Sequence, residues 1–286
     1  MKRLPSWFKQ PLADIEVKTI LNLLKEFNVN TICVEAHCPN INSCFRNNSL
    51  TFLILGDSCI RNCKFCALKK KGIFKNLEEE PQRIREIVKR LNLDFVVITS
   101  VCRDDLIDKG AGHFRKTVEE IKGISKEIKI ELLIPDFKAD ITLLKEIVES
   151  GAEVIGHNIE IPFSLYKEIK PQGDYKLSLD VLKIIKEINP KIITKSSLIL
   201  GMGEKEEEVY NTIRDLKNTR IDILTLGQYL SPSVNHYPVK EFLSLEKFNA
   251  YKEFALKQGI PVVISAPLVR SSYMAKQLYY QAINSN

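Results

Sequence analysis

The chain has 286 residues, 44% of them apolar and 27% charged, with a formal net charge of +6. That length builds one large core, or one core with short extensions. No apolar run reaches membrane-spanning length, and the opening MKRLPSWFKQPLADIE lacks the apolar centre of a signal segment, so a cytoplasmic location is expected. Much of the basic excess is lysine spread along helical stretches beside glutamate, which reads as a solvated surface before it reads as a nucleic-acid face. KKKGIFK at 69–75 is a basic patch or simply an exposed loop.

Residues 1–48 show no repeating pattern and are expected to form an N-terminal extension. From there the chain alternates. Strands are expected at 51–56, 95–99, 130–134, 153–157, 191–198, 222–227 and 261–265, several of them continuous apolar runs of the kind buried on both faces of a parallel sheet. Helices are expected between them at 80–91, 112–127, 140–150, 178–188, 205–218 and 244–258. Pro81 suits a first helical turn and Ser244 suits an N-cap. The order predicts an α/β fold, a partial (β/α)6 TIM-like barrel over 49–265 with a C-terminal tail at 266–286. Reactive residues should then sit in the loops beyond the carboxyl ends of the strands.

Cysteine usage carries the chemistry. Of seven cysteines, Cys59, Cys63 and Cys66 are spaced C-x3-C-x2-C, and Cys33, Cys38 and Cys44 are spaced C-x4-C-x5-C. The odd total, with Cys102 left over, argues against a disulfide scaffold. Three soft thiolates on one loop can hold three irons of a [4Fe–4S] cluster and leave the fourth open. A structural zinc site would need a fourth ligand from elsewhere, and an electron-transfer cluster would not need so large a barrel. The second set is economically read as a second cluster that relays electrons, binds substrate or donates sulfur. The residues alone do not choose between these roles.

With Phe65 before its last cysteine, the 59–66 set resembles the radical SAM signature, which implies S-adenosylmethionine (SAM) on the open iron and a barrel of the radical SAM type. Further blocks, TICVEAHCPNINSC, VVITSVCRDDLIDKGAGHF, IELLIPDF, HNIE, TKSSLILGMGE, DILTLGQYLSPS and RSSY, resemble the lipoyl synthase family from about Trp7 to Ala275. The resemblance implies that Cys33, Cys38 and Cys44 bind an auxiliary [4Fe–4S] cluster with Ser272 as its fourth ligand, and that Arg270 orients that segment. It implies that two sulfurs from that cluster enter at C6 and C8 of an octanoyl group carried on a lysine. The implied partners are octanoylated lipoyl-carrier domains or a glycine-cleavage H protein, an electron donor such as ferredoxin or flavodoxin, and cluster-repair proteins. A monomer without nucleic-acid or membrane partners is expected.

Candidate SAM contacts are Phe65, Thr99, Ser100, Asn158, Glu160, Lys195 and Gln228. The bland reading of most of them is a capped turn or a packed strand end. Arg103, Asp104 and Asp105 are candidates to organise the site. His113 is either functional or packed, Tyr229 either lines the mouth or packs, and the glycine pair Gly201 and Gly203 is a weak signal. The chain departs from the family pattern at Cys102 (usually Asp), at Val34 (CVEA for CEEA), at Ser197 (usually Gly), in HNIEIP for HNIETV, and at Met274 (usually His). None of these changes touches an expected cluster ligand.

Overall fold

In a computed structural model, which describes residues 15–70 and 77–285, the apolar runs pair into one sheet. The N-terminal part holds α1 (Ile15–Glu26), β1 (Asn30–Thr31), α2 (Ile32–Glu35) and α3 (Ile41–Arg46). The alternating part runs through β2 (Thr51–Ile54), the short β3 (Ser58–Cys59) and β4 (Lys69–Lys70), α4 (Glu80–Arg90), β5 (Phe95–Ser100), α5 (Ala111–Lys122), β6 (Lys129–Leu133), α6 (Ile141–Val148) and β7 (Val154–Gly156). It continues through α7 (Phe163–Ile169), α8 (Tyr175–Ile188), β8 (Ile193–Leu200), α9 (Glu206–Asn218), β9 (Ile223–Gln228), α10 (Leu245–Lys257), β10 (Val262–Ser265) and α11 (Ala275–Ser285).

The strand order is β1-β2-β5-β6-β7-β8-β9-β10, and every pairing from β2 onward is parallel. Only β1 runs antiparallel, beside β2. β1 and β10 are not paired with each other, so the barrel is open. Register sets the rim: Ile54 pairs with Ser100, Leu133 with Gly156 and Leu200 with Gln228. The loops after these strands therefore leave the sheet on one side.

The helices follow from local signals. Pro81 stands in the first turn of α4, which buries Ile84, Ile87 and Val88 along one stripe. Ser244 caps α10 by accepting from the Lys247 N–H, and Asp140 and Asp174 cap α6 and α8. The expected helix 112–127 ends early at Lys122. Gly123 follows, and Lys122 Nζ turns back to the Ile128 carbonyl and Glu153. α1, α7 and α11 were not expected. α11 packs Leu278, Tyr279 and Ala282 against Val154, Ile193, Ile223 and Val262, the first residues of four strands, and so covers the floor of the barrel. Residues 1–14, and 71–75 of the basic stretch, lie outside the described residues. Among the described residues no helix is long and apolar enough to cross a membrane.

One backbone feature bears on the site. Leu55 (φ 66°) and Gly56 (φ 96°) both lie in the left-handed region just before the 59–66 cysteines, a conformation a leucine holds only under constraint. The buried Glu80 carboxylate holds it, accepting from the Leu55 N–H at 2.8 Å and bonding His113 Nε2 at 2.8 Å. His113 thus braces the loop rather than merely packing. Gly110, at φ 92°, lies against Leu55, and a Cβ there would land on the leucine side chain. Gly110→Ala is expected to destabilise the protein by about 2 kcal/mol through overpacking and left-handed strain, read as a lower urea midpoint with an unchanged slope.

Candidate active site

The C-x3-C-x2-C set lies in the loop after β2, with Cys59 buried and Cys63 and Cys66 half-buried. The loop is tied down at three points. Lys64 N–H donates to the Ile169 carbonyl at 2.8 Å, Asn62 N–H to Gln172 Oε1 at 2.9 Å, and the Lys64 carbonyl accepts from Tyr237 N–H. Burial pushes the Cys63 thiol up to about 11 and raises Cys66, and neighbouring cysteines of the set add to both. Cys59 is the exception. A hydrogen bond from the Cys102 thiol lowers it to about 6 despite burial, which favours the thiolate there. Cys102 therefore lies beside Cys59.

The second set sits on α2, α3 and the turn between them. Burial raises Cys33 and Cys38, and burial together with the field of its fellow cysteines takes Cys44 to about 12. Among the described residues no three His, Cys, Asp or Glu side chains converge on a single ion position. Each cysteine triad is gathered at the longer range over which its thiols act on one another. The donor chemistry fits iron–sulfur clusters: six soft ligands, in five of which burial disfavours the thiolate and a cationic partner would offset that.

The C-terminal segment reaches the second set and the HNIE turn. Asn40 Nδ2 donates to the Leu268 carbonyl at 2.6 Å, tying the 33–44 loop to the tail. Gln228 N–H donates to the Pro267 carbonyl, and a Cβ at Gly227 would meet the Val269 carbonyl, so glycine lets the tail lie against β9. Arg270 Nη1 donates to the Val269 carbonyl at 2.6 Å. Burial lowers Arg270, and the nearby Cys38 opposes that. Ser271 Oγ donates to Asn158 Oδ1 at 3.0 Å, and Asn158 Nδ2 donates to Glu160 Oε1 at 2.9 Å. The RSSY segment thus links the second cysteine set with HNIE, and Ser272 is half-buried between these contacts.

The other expected contacts divide. Phe65 packs on the core cluster around Ile159 and Tyr229. Thr99 gives its hydroxyl to the Leu133 carbonyl at 3.0 Å. Lys195 is fully buried low in β8, bonded to both oxygens of Glu131 at 2.8 and 3.0 Å. Gln228 donates to the Leu200, Tyr229 and Glu241 carbonyls and accepts from Leu243 N–H, so its amide braces loops. Tyr229 packs, its hydroxyl on the Tyr237 carbonyl. Ser100 differs from these: its Oγ is buried without a protein partner, as are His157 Nε2 and Thr225 Oγ1. Orphaned polar atoms inside a barrel fit a polar ligand.

Two functional candidates escaped the sequence reading. Lys170 follows α7, buried, with Nζ 3.4 Å from the Asn158 carbonyl and 5.2 Å from the Tyr166 ring centroid. Burial opposes its charge, but Tyr166, Glu160 and Cys63 outweigh that and raise it. No motif separates it from the other lysines. The second is His157, whose Nδ1 donates to the Ile134 carbonyl at 3.0 Å, and whose pKa burial lowers to about 4. An unfolded imidazole protonates near 6.5, so the unfolded chain takes this proton first as pH falls. Stability is complete above about pH 6.5 and declines toward pH 4, by about 3 kcal/mol from this group. Urea unfolding at pH 7 and 4.5 should show that decline, and His157→Gln should shrink the difference.

The radical SAM superfamily model matches residues 53–216. The chain is 48% identical over 273 residues to a lipoyl synthase of Caldicellulosiruptor bescii, covering 95% of this chain and 94% of the relative. It is 45% identical to a lipoyl synthase of Alkaliphilus metalliredigens, covering 97% and 96%. Among solved structures it resembles methylornithine synthase (TM-score 0.56, 14% identity, 96% of this chain and 81% of that one). It also resembles a maturase of the [FeFe]-hydrogenase (TM-score 0.59, 13% identity, 93% and 67%). At such identities these two speak for the barrel alone. Two cysteine triads on a barrel of this type, with this level of identity over nearly the whole chain, make it a member of the lipoyl synthase family of the radical SAM superfamily.

Proposed function

We propose that this chain inserts two sulfur atoms, at C6 and C8, into an octanoyl group held on a lysine of a lipoyl-carrier domain or a glycine-cleavage H protein. The observation that carries this reading is the tail that ties the second cysteine loop to the HNIE turn beside Cys66, through Asn40 to Leu268 and Ser271 to Asn158. When bound, the cluster held by Cys59, Cys63 and Cys66 supplies, with SAM, the radical that removes hydrogen, and the auxiliary cluster on Cys33, Cys38, Cys44 and Ser272 supplies sulfur.

The chain's own residues prepare these events. Asn158 and Glu160 present a polar edge above the first cysteine loop, and Ser100 Oγ and His157 Nε2 add buried groups with bonding capacity unused by the protein. Lys170 puts a buried positive charge near Cys63 and Glu160, where the carboxylate of SAM would neutralise it. Arg270 lies close to Cys38, and this supports Ser272, two residues on, as the fourth ligand of the second triad. The apolar cluster on which Phe65 packs would help to keep water from a reactive carbon held beside it. A ferredoxin or flavodoxin would supply electrons, and a cluster-repair protein would restore the consumed sulfur.

The deciding experiment reconstitutes the chain anaerobically with iron and sulfide and adds reductant, SAM and an octanoyl-lysyl carrier peptide. A peptide gaining two sulfurs, with 5′-deoxyadenosine formed, is the expected result. Protein verified to hold both clusters that cleaves no SAM would sink the reading. Lys170→Met is expected to weaken SAM binding about tenfold, since a buried charge-assisted contact is lost; equilibrium dialysis on the cluster-loaded protein measures this.

A further inference from the structure

We propose that Arg61 is the clamp that fixes the Cys59–Cys66 loop in the shape a cluster needs, a positioning residue whose role rests on the assignment of Cys59, Cys63 and Cys66 as ligands. Arg61 stands between the first two cysteines of the set, and its guanidinium makes two forks. Nε and Nη2 donate to Asp104 Oδ2 and Oδ1, each at 2.7 Å. Nη1 and Nη2 donate to Asp136 Oδ2 and Oδ1 at 2.5 and 2.8 Å. The carboxylates come from different rim loops, Asp104 from the one after β5 and Asp136 from the one after β6. Burial is deep, with 4% exposure for the arginine side chain and 2% for that of Asp136. Charge-assisted bidentate pairs in such surroundings hold direction as well as distance.

The far jaw of the clamp is itself rigid. Phe137, Lys138 and Ala139 all have positive φ, at 42°, 57° and 53°. Successive left-handed L-residues are unfavourable by about 1–2 kcal/mol each, so packing must impose the turn. Phe137 is wholly buried, edge-on to Phe114 at 6.2 Å, and Asp136 Oδ1 also accepts the Lys138 N–H at 3.0 Å. Asp136 cannot follow a moving arginine.

A cluster loop gains from this for a simple reason. Its only strand, β3, is two residues long, and three thiolates must hold a cluster whose fourth iron has no protein ligand. Ordering loop residues costs about 1–2 kcal/mol each, and a loop ordered beforehand spares cluster binding that cost. The clamp should therefore govern cluster retention.

The test uses the full chain with Cys33, Cys38 and Cys44 changed to alanine, so that one cluster is read. Three changes are made in it. Arg61→Lys keeps the charge and loses the forks. Arg61→Gln with Asp104→Asn and Asp136→Asn removes all three charges together, leaving no buried carboxylate uncompensated. Cys63→Ala is the ligand control. Iron per chain, the rate of iron transfer to a ferrous chelator, and the electron paramagnetic resonance spectrum of the reduced protein with and without SAM are compared. Thermal melting of the metal-free chains reports folding. Both Arg61 variants are expected to fold and to release iron about tenfold faster, with a weakened spectral response to SAM, the lysine variant less severely. A folded neutral triple variant with the parental release rate and spectrum overturns the clamp. So does loss of fold in both, for Arg61 would then hold the barrel rather than the loop. If the parent binds no more iron than Cys63→Ala, the ligand assignment itself has failed, and the clamp with it.

Discussion

Replacing Cys63 by alanine is expected to reduce 5′-deoxyadenosine formation to the assay floor, a loss of more than about a thousandfold. Cys63 is the middle residue of its set, adjacent to Lys64, whose N–H and carbonyl fasten the loop to α7 and to the 229–243 segment. The backbone will therefore stay in place when the thiol is lost, and the defect will lie in ligation. Two thiolates cannot cage a cluster that already lacks one protein ligand. Chromatography of the nucleoside product measures the loss, and iron per chain should fall by about half if the second set still loads. Normal SAM cleavage by a chain lacking this thiol would remove the 59–66 loop from the chemistry.

Cys38→Ala is expected to separate the two halves of the reaction. SAM cleavage should persist within a few-fold, while the sulfur-bearing product falls below detection. Cys38 lies on the second loop, in the field of Cys33 and Arg270, and the groups that chiefly shift Cys59, Cys63 and Cys66 are other residues. The radical site therefore stays intact when it is removed. The octanoyl group would be attacked with no sulfur to receive the resulting radical. Mass spectrometry of the carrier peptide alongside the deoxyadenosine assay reads both halves in one sample. Retained sulfur insertion would move the donor elsewhere.

Most of the barrel was legible in the sequence because each strand is a short apolar run flanked by amphipathic helices with readable caps such as Pro81 and Ser244. Cysteine spacing likewise made both triads visible. What escaped depends on tertiary placement. Arg61, Asp104 and Asp136 come together only when three rim loops converge, and no local pattern announces that. Lys170 differs from other lysines only by burial. Lys195 and Gln228 lie in motifs that suggested ligand contact, but Glu131 and a set of backbone carbonyls take up their polar groups. α11 lies in what reads from sequence as a separate C-terminal tail, because its apolar positions make sense only against the barrel floor.

That floor helix bears on Ser272. The tail is pinned on one side where Gln228 N–H meets the Pro267 carbonyl, and on the other where Lys276 Nζ meets Asp94 Oδ2 at 2.5 Å. Ser272 lies on the short span between these pins, a leash on which it can travel no more than about 18 Å from Pro267 and about 14 Å from Lys276. A serine released from an iron on such a leash would stay at a local concentration on the order of millimolar or above. Rebinding to a rebuilt cluster would then be an intramolecular event, and the same chain could be reset between turnovers without unfolding its tail.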